Sequence, residues 1–491
     1  MNYRELFTAL LPETALILGA LLVLGFDLMR GKGHTREERL RASASLGAIA
    51  ALAALVGVMK CGAPDHVVGG VLALDVLGFA TRLGVLALTV LTLTLASCTT
   101  RLRNPAEYVA VILFATAGFT LMAVAQQLLV AFLALELASL SLYVLAGFDK
   151  TRPESAEAAL KYFLFGGMSA AFLLFGFSLI YGLTGSISFP VIAEQLALMP
   201  VLSPLLKVAL VMVLVAFGFK VAAAPFHLWA PDAYQGAPTS SAALIASASK
   251  LAGFTLFVRL LWHGLGSAAG NVATPQGAPG WLPVVAVISA SSLLLGNIGA
   301  LAQGNVRRLL AYSAIAHAGV MLLGVMAAGP RGIGAGVGPI YYYAATYGLA
   351  TVGAFGVIAL VERAGGCQAI TDLAGLHRRS PLLAGCLMVF VLSLAGIPPL
   401  AGFFGKFVIF AAALKLAGLS GAAGWLAVLA ILLSAVALYY YLLVLKQALV
   451  AKPAADAGRI AVPVDAAVAL VVIAALLVLL GVFPSFLLRI F

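Results

Sequence analysis

The sequence predicts an all-α, polytopic integral membrane protein of about fourteen transmembrane helices. Three observations predict it: the composition, a series of apolar runs of spanning length, and a one-sided placement of lysine and arginine. Of 491 residues, 63% are hydrophobic and 10% charged, with a mean hydropathy of +1.11; soluble domains carry about 25% charged residues. No water-soluble core absorbs that much apolar surface. A spanning helix needs about 20 apolar residues, so this length has room for roughly a dozen or more. The net charge of +11 comes from Lys and Arg scattered through short loops, which form no continuous basic face and exclude a nucleic-acid partner. Cys61, Cys98, Cys367 and Cys386 show no C-x-x-C spacing, so no disulfide framework, metal site or iron–sulfur cluster is expected, and no cofactor in this chain.

The first run, 6–28, is too long and too charged for a signal peptide: it carries Glu13 and Asp27, and a charged stretch, not a cleavage site, follows it. Further runs place helices near 42–59, 71–97, 106–125, 128–148, 158–182, 204–223, 241–264, 281–303, 307–328, 338–362, 382–417, 422–446 and 463–489. The odd-numbered loops hold Arg30, Lys32, Arg36, Arg39 and Arg41, Arg101 and Arg103, Lys150 and Arg152, Arg307 and Arg308, Arg363, Arg378 and Arg379, and Lys446, Lys452 and Arg459. The even loops hold chiefly Lys60 and Arg331. By the positive-inside rule the odd loops are cytoplasmic and both termini lie on the non-cytoplasmic side. The seventh loop, Asp232 to Thr239, departs from the pattern in having no Lys or Arg.

Two helices are interrupted in mid-membrane, at Phe219–His227 around Pro225 and at Leu394–Lys406 around Pro398-Pro399. Proline removes a backbone donor and clashes with the preceding turn, so helices seven and twelve break there. Breaks five helices apart point to two five-helix repeats of an ion-handling protein. The chain then reads as one membrane domain, 1–491, with helices one to three in 1–100, the repeats in 105–265 and 281–448, and a last helix at 463–489.

A charge at the bilayer centre costs on the order of 3 kcal/mol. Glu136 in helix five, Lys220 in helix seven, Lys250 in helix eight and Lys406 after the second break each need a reason to be there. Lys220 and Lys250 against the one glutamate, Glu136, already leave a surplus cation that simple pairing does not explain. Lys207, Lys415 and Arg259 read as snorkelling side chains. Lys161 follows Glu154 and Glu157 and fits either an interfacial salt bridge or the proton path; His227, at the first break, and His317, inside an apolar run, are supporting candidates. A Glu–Lys pair about 7 Å apart at an effective dielectric near 20 interacts by about 2.4 kcal/mol. Moving a proton charge against roughly 150 mV takes about 3.5 kcal/mol, so a coupled row of two or three such sites supplies energy of the right order.

These residues fall in strings that resemble the antiporter-like membrane subunits of proton-pumping NADH-quinone oxidoreductase, most closely the subunit N branch. The strings are Leu11-Pro12-Glu13, Leu160-Lys161-Tyr162-Phe163-Leu164, Phe219-Lys220 with Pro225-Phe226-His227-Leu228-Trp229-Ala230-Pro231-Asp232, Gly236-Ala237-Pro238-Thr239, Ala314-Ile315-Ala316-His317-Ala318-Gly319, and Ser393 to Pro399 with Gly402-Phe403-Phe404-Gly405-Lys406. The resemblance implies a fourteen-helix fold with two inverted repeats, a helix-five glutamate (Glu136) paired with a helix-seven lysine (Lys220), and a central lysine (Lys250). It implies Lys406 in branches N and L but a glutamate in M, while L extends beyond fourteen helices. It also implies partner membrane subunits that handle NADH and quinone. The sequence departs from the usual pattern at Gln235, where glutamate is usual, and at Ser240-Ser241, where an apolar pair is usual.

Gly405-Lys406 lacks the other residues of a phosphate-binding loop. A multisubunit cation/proton antiporter is the alternative within the same fold, and a passive spacer whose charges only hold helices together is the third reading.

Overall fold

Apolar runs become helices because in lipid every backbone amide must be satisfied within its own segment. The computed structural model describes residues 3–30, 33–97, 102–199, 202–272, 279–329, 333–418, 421–453 and 458–491; Lys32, Cys98, Arg101 and Arg331 lie outside the described residues. After a short helix, Tyr3–Ala9, come α1 Leu11–Arg30, α2 Arg36–Cys61, α3 Val76–Ala96, α4 Pro105–Val124, α5 Leu128–Ala146 and α6 Pro153–Thr184. Helix α7 has two arms, Pro204–Lys220 and Trp229–Gly236. Helix α8 follows as Thr239–Ala246 and Ala248–Val258, continued by a π-turn, Arg259–Gly264. Then come α9 Trp281–Leu301, α10 Val306–Ala327, α11 Ile333–Gly365, the two arms of α12, Pro381–Ala395 and Ala401–Ala417, α13 Ala422–Leu449 and α14 Val464–Val482.

Proline opens α4, α6, α7 and α12 in the first turn, where its missing N–H is no loss. Thr35 and Glu38 close a capping box on α2, and the Asp75 carboxylate caps α3 by accepting from Gly78 N at 2.7 Å. Among the described residues twelve helices are long and apolar enough to cross a membrane; they are α1–α6, α8–α11, α13 and α14. This is a multi-pass membrane protein. The arms of α7 and α12 are shorter, and both interruptions fall where the prolines predict.

Two interruptions of the expected pattern carry no proline signal. The run expected to form helix three from residue 71 opens instead with a hairpin, β1 His66–Val68 against β2 Leu72–Leu74, and the helix starts only at Val76. Helix α8, expected to be continuous, is offset at Ser247 (φ −114°, ψ −84°), three residues before Lys250.

The loops sort by parity. On one face Arg363 meets Glu37 at 3.3 Å, Ser97 meets Asp465 at 3.0 Å, and Val306 N and Gly375 N donate to Gln368 O and Gln447 O; all belong to odd loops or their flanks. On the other face Cys61 Sγ contacts Thr8 O at 3.1 Å, Gln126 N donates to Val71 O, Ala422 N donates to Val272 O, and the Phe491 ring packs on Tyr341. Thr8 and Phe491 therefore share the even-loop face. At the centre α8 is buried along its whole length and α10 and α11 nearly so, with α8 against α3, α4 and α11.

Candidate functional site

Lys220 ends the first arm of α7, and beyond it residues 221–228 leave the helical path. The structure satisfies the exposed backbone there with side chains: Ser292 Oγ accepts from Ala224 N at 2.8 Å, and the Trp229 indole donates to Phe219 O at 3.1 Å. The Lys220 ammonium is buried and donates to Ser139 Oγ on α5 at 3.0 Å. Glu136 lies one turn before Ser139, half-buried, with Oε1 enclosed and without a hydrogen-bond partner. The two charges act on each other, but through the Ser139 turn and not as a direct hydrogen-bonded pair. Tyr143 completes the stripe at i+7 from Glu136; its hydroxyl occupies the space a Cβ at Gly166 would take, 1.9 Å away. Spacing of i, i+3, i+7 on one helix face is readable in a sequence, and it would have found Ser139 and Tyr143.

From Lys220 the row continues to α8. A Cβ on Gly253 would lie 3.7 Å from Lys220 Cγ, so the Lys220 stem passes α8 one turn from Lys250. Lys250, 2% exposed, donates to the Ala314 carbonyl of α10 and stands 5.6 Å from the centre of the Tyr347 ring. One turn along α10 is His317, 5% exposed. Its Nδ1 pairs with the Tyr343 hydroxyl at 2.6 Å and its Nε2 with the Tyr441 hydroxyl at 3.1 Å. The charges of Lys406 and Lys250 both act on this ring. Lys406 folds back over the α12 break and donates to Ala395 O at 2.9 Å. Gly396, at φ +86°, makes this possible: a Cβ there would stand 3.1 Å from Lys406 Cδ. A void of about 10 Å³ separates His317 from Lys406, room for about one water.

The two weaker candidates are placed differently. His227 lies in the α7 break, edge-on to Tyr312, with Nδ1 buried and without a hydrogen-bond partner. Lys161 sits at the odd-loop face with its side chain 40% exposed, bonded to Glu157 and Asp232, each at 2.6 Å. Asp232 also accepts from Arg308 at 2.5 Å, and Gln235 accepts from the same guanidinium at 2.9 Å. Arg307, buried, donates to Gln235 O, Ala237 O and Thr239 Oγ1 and pairs with Glu362. The seventh loop needs no cation of its own, because α10 and α6 deliver three. The departures from the usual pattern are also accounted for: Gln235 binds Arg308, and Ser240 and Ser241 both meet the Tyr108 hydroxyl, at 2.6 and 2.7 Å.

Arg259 corrects the snorkelling reading. It is fully buried and forms a two-pronged pair with Asp75, the longer contact 2.7 Å, while Nε donates to Ala123 O at 2.7 Å. The guanidinium stays inside because the α3 cap supplies a carboxylate at its tip. Burial opposes ionisation of Asp75, but Arg259 and the Gly78 amide outweigh it and hold the carboxyl below the usual carboxylate range. Glu13 is likewise buried against Arg82 at 2.9 Å.

The family described as "NADH:quinone oxidoreductase/Mrp antiporter, TM" matches residues 125–437. A NADH-quinone oxidoreductase subunit N 2 from Acidobacterium capsulatum is 48% identical over 506 aligned residues, covering 100% of this chain and 99% of that one. The chain belongs to the subunit N family of NADH-quinone oxidoreductase. A chain of respiratory complex I from Thermus thermophilus superposes with a TM-score of 0.77 at 32% identity, covering 97% of this chain and 98% of that one. A chain of the Mrp complex from Dietzia sp. superposes at 0.81 and 21% identity, over 100% and 96%, a likeness of fold alone. The segment that matches the NADH:quinone oxidoreductase/Mrp antiporter family runs from just before α5 into α13, and so takes in Glu136, Lys161, Lys220, His227, Lys250, His317 and Lys406.

Proposed function

We propose that this chain carries protons across the membrane as the N subunit of an NADH-quinone oxidoreductase, with NADH and quinone handled by partner subunits and no cofactor of its own. Glu136, Lys220, Lys250 and Lys406 are the proton-carrying groups, and Lys161, His227 and His317 support them. The observation that carries the reading is the bonding of the buried lysines. Lys220 rests on a hydroxyl, and Lys250 and Lys406 rest on backbone carbonyls; none is locked into a direct ion pair with a carboxylate, as a passive spacer would require. In the same reading α7 and α12 also cross, giving fourteen crossings, ten of them in two inverted five-helix repeats. The cation-rich odd-loop face is then cytoplasmic and both termini lie opposite. The 48% identity to a subunit N favours this function over a cation/proton antiporter.

The test is protons pumped per NADH oxidised in the assembled complex. Lys220→Ala should abolish transfer through this subunit, and Lys220→Arg should also impair it, because arginine stays charged. A spacer predicts the reverse ordering, and full pumping by the arginine variant refutes the proposal.

A further inference from the structure

The four charged groups leave one interval unexplained. His317 and Lys406 both border the same small void, yet both nitrogens of His317 are already engaged by tyrosine hydroxyls, so the imidazole has no free atom to present to the void. The residues that close this interval come from α13. Tyr441 takes His317 Nε2 on one side and Ser313 Oγ on the other. Its chain neighbour Tyr440 packs against it with ring centres 4.6 Å apart, and the hydroxyls of Tyr441 and Ser313 both act on the Tyr440 hydroxyl. Tyr440 in turn borders the void beside Lys406, with its hydroxyl oriented by Asn297 Oδ1 at 3.2 Å. Asn297 is itself fixed by donating to Leu293 O at 2.7 Å. Both tyrosines are 1% exposed.

We infer that the paired hydroxyls of Tyr441 and Tyr440 are the relay that joins His317 to Lys406, with Ser313 and Asn297 as positioning residues. The inference rests on the proton-carrying reading above and adds two transfer groups to it. A hydroxyl both donates and accepts, so the step conserves charge. Protonated His317 gives its Nε2 proton to Tyr441 Oη as Tyr441 releases its own proton toward Tyr440. Tyr440 releases one to a water in the void, and that water protonates the neutral amine of Lys406. Each O–H bond that breaks is replaced by one that forms, and one proton has moved from imidazole to lysine. Rotation of the hydroxyls resets the line. Concerted passage along hydrogen-bonded hydroxyls leaves no tyrosinate behind, which matters at this burial.

Tyr441→Phe removes the hydroxyl and keeps the ring. Pumping per NADH oxidised is measured in proteoliposomes of the whole complex, beside Lys250→Met, with assembled complex quantified for each. The expected result is normal assembly with pumping reduced to the level of Lys250→Met, and recovery when 3-fluorotyrosine, which restores a hydroxyl of altered acidity, occupies position 441. With the fluorinated residue the pH profile of pumping should shift, a response that a packing role does not produce. Wild-type pumping by Tyr441→Phe while Lys250→Met is defective overturns the relay and leaves the proton-carrying reading standing. Wild-type pumping by both overturns both. A 3-fluorotyrosine protein no better than the phenylalanine variant also overturns the relay. If Tyr441→Phe fails to assemble, Tyr440→Phe replaces it, with the same expected loss and the same refuting result.

Discussion

Replacing Arg259 with methionine isolates what a buried ion pair contributes to this bundle. The substitution leaves Asp75 with the Gly78 amide as its remaining hydrogen-bond donor, its side chain 14% exposed. Stripping one partner from a buried pair costs about 3–5 kcal/mol, and the residual exposure of Asp75 places this case near the lower end. About 3 kcal/mol corresponds to roughly a hundredfold shift in the folding equilibrium. Adding Asp75→Asn removes the orphaned charge while keeping an N-cap of equal quality, so Arg259→Met with Asp75→Asn should return to within roughly 1 kcal/mol of the parent. The Ala123 carbonyl loses its donor in both variants, and that loss cancels between them. Because the folded carboxyl of Asp75 is held below its usual range, the pair's contribution is present across neutral pH. It is lost only as pH falls below about 4, through the folded value. The assay is the thermal midpoint of the detergent-purified complex for the parent, both single variants and the double variant. A methionine variant as stable as the parent, or a double variant worse than the methionine variant, refutes the reasoning.

Gly405→Ala places a methyl 2.4 Å from the Tyr343 ring. Overpacking of this kind costs about 1–3 kcal/mol, and pushing Tyr343 off His317 should reduce pumping per NADH although neither residue is a lysine of the row; unchanged pumping would show that the Tyr343 bond is dispensable. Burial pushes the Cys367 thiol up to about 12, leaving about one thiolate in 10⁴ at pH 8. Maleimide should therefore label Cys367 only after denaturation, which mass spectrometry of the labelled peptide checks.

Most of the bundle was legible because a bilayer permits so few alternatives. Spanning length, apolar runs and the two proline interruptions placed the helices and drew attention to Lys220 and Lys406. What escaped notice has specific causes. The hairpin at 66–74 is built from Val67, Val68, Leu72 and Leu74, and a short apolar strand merges into a following apolar helix when only hydropathy is read. The offset at Ser247 has no proline to announce it. Arg259 looked like a snorkelling side chain because its partner lies 184 residues away, and no local pattern reveals a contact of that range. The candidate lysines could be named because charge in an apolar run is conspicuous. Tyr440, Tyr441 and Asn297 could not, because uncharged polar residues in membrane helices are ordinary and only the fold brings them beside His317.

The carbonyl seats of Lys250 and Lys406 have a consequence for how such a site tolerates change of state. A carboxylate partner would tie each ammonium to an anion, and losing the proton would strand that anion in the core. A carbonyl oxygen is neutral. It accepts from an ammonium and, more weakly, from the N–H of a neutral amine, so the bond survives in both protonation states. The scaffold at Ala314 and Ala395 need not rearrange when the proton departs. On the proton-carrying reading, these two backbone atoms leave the lysines' charge adjustable without making it structural, and a carboxylate introduced opposite either one would turn that seat into a brace.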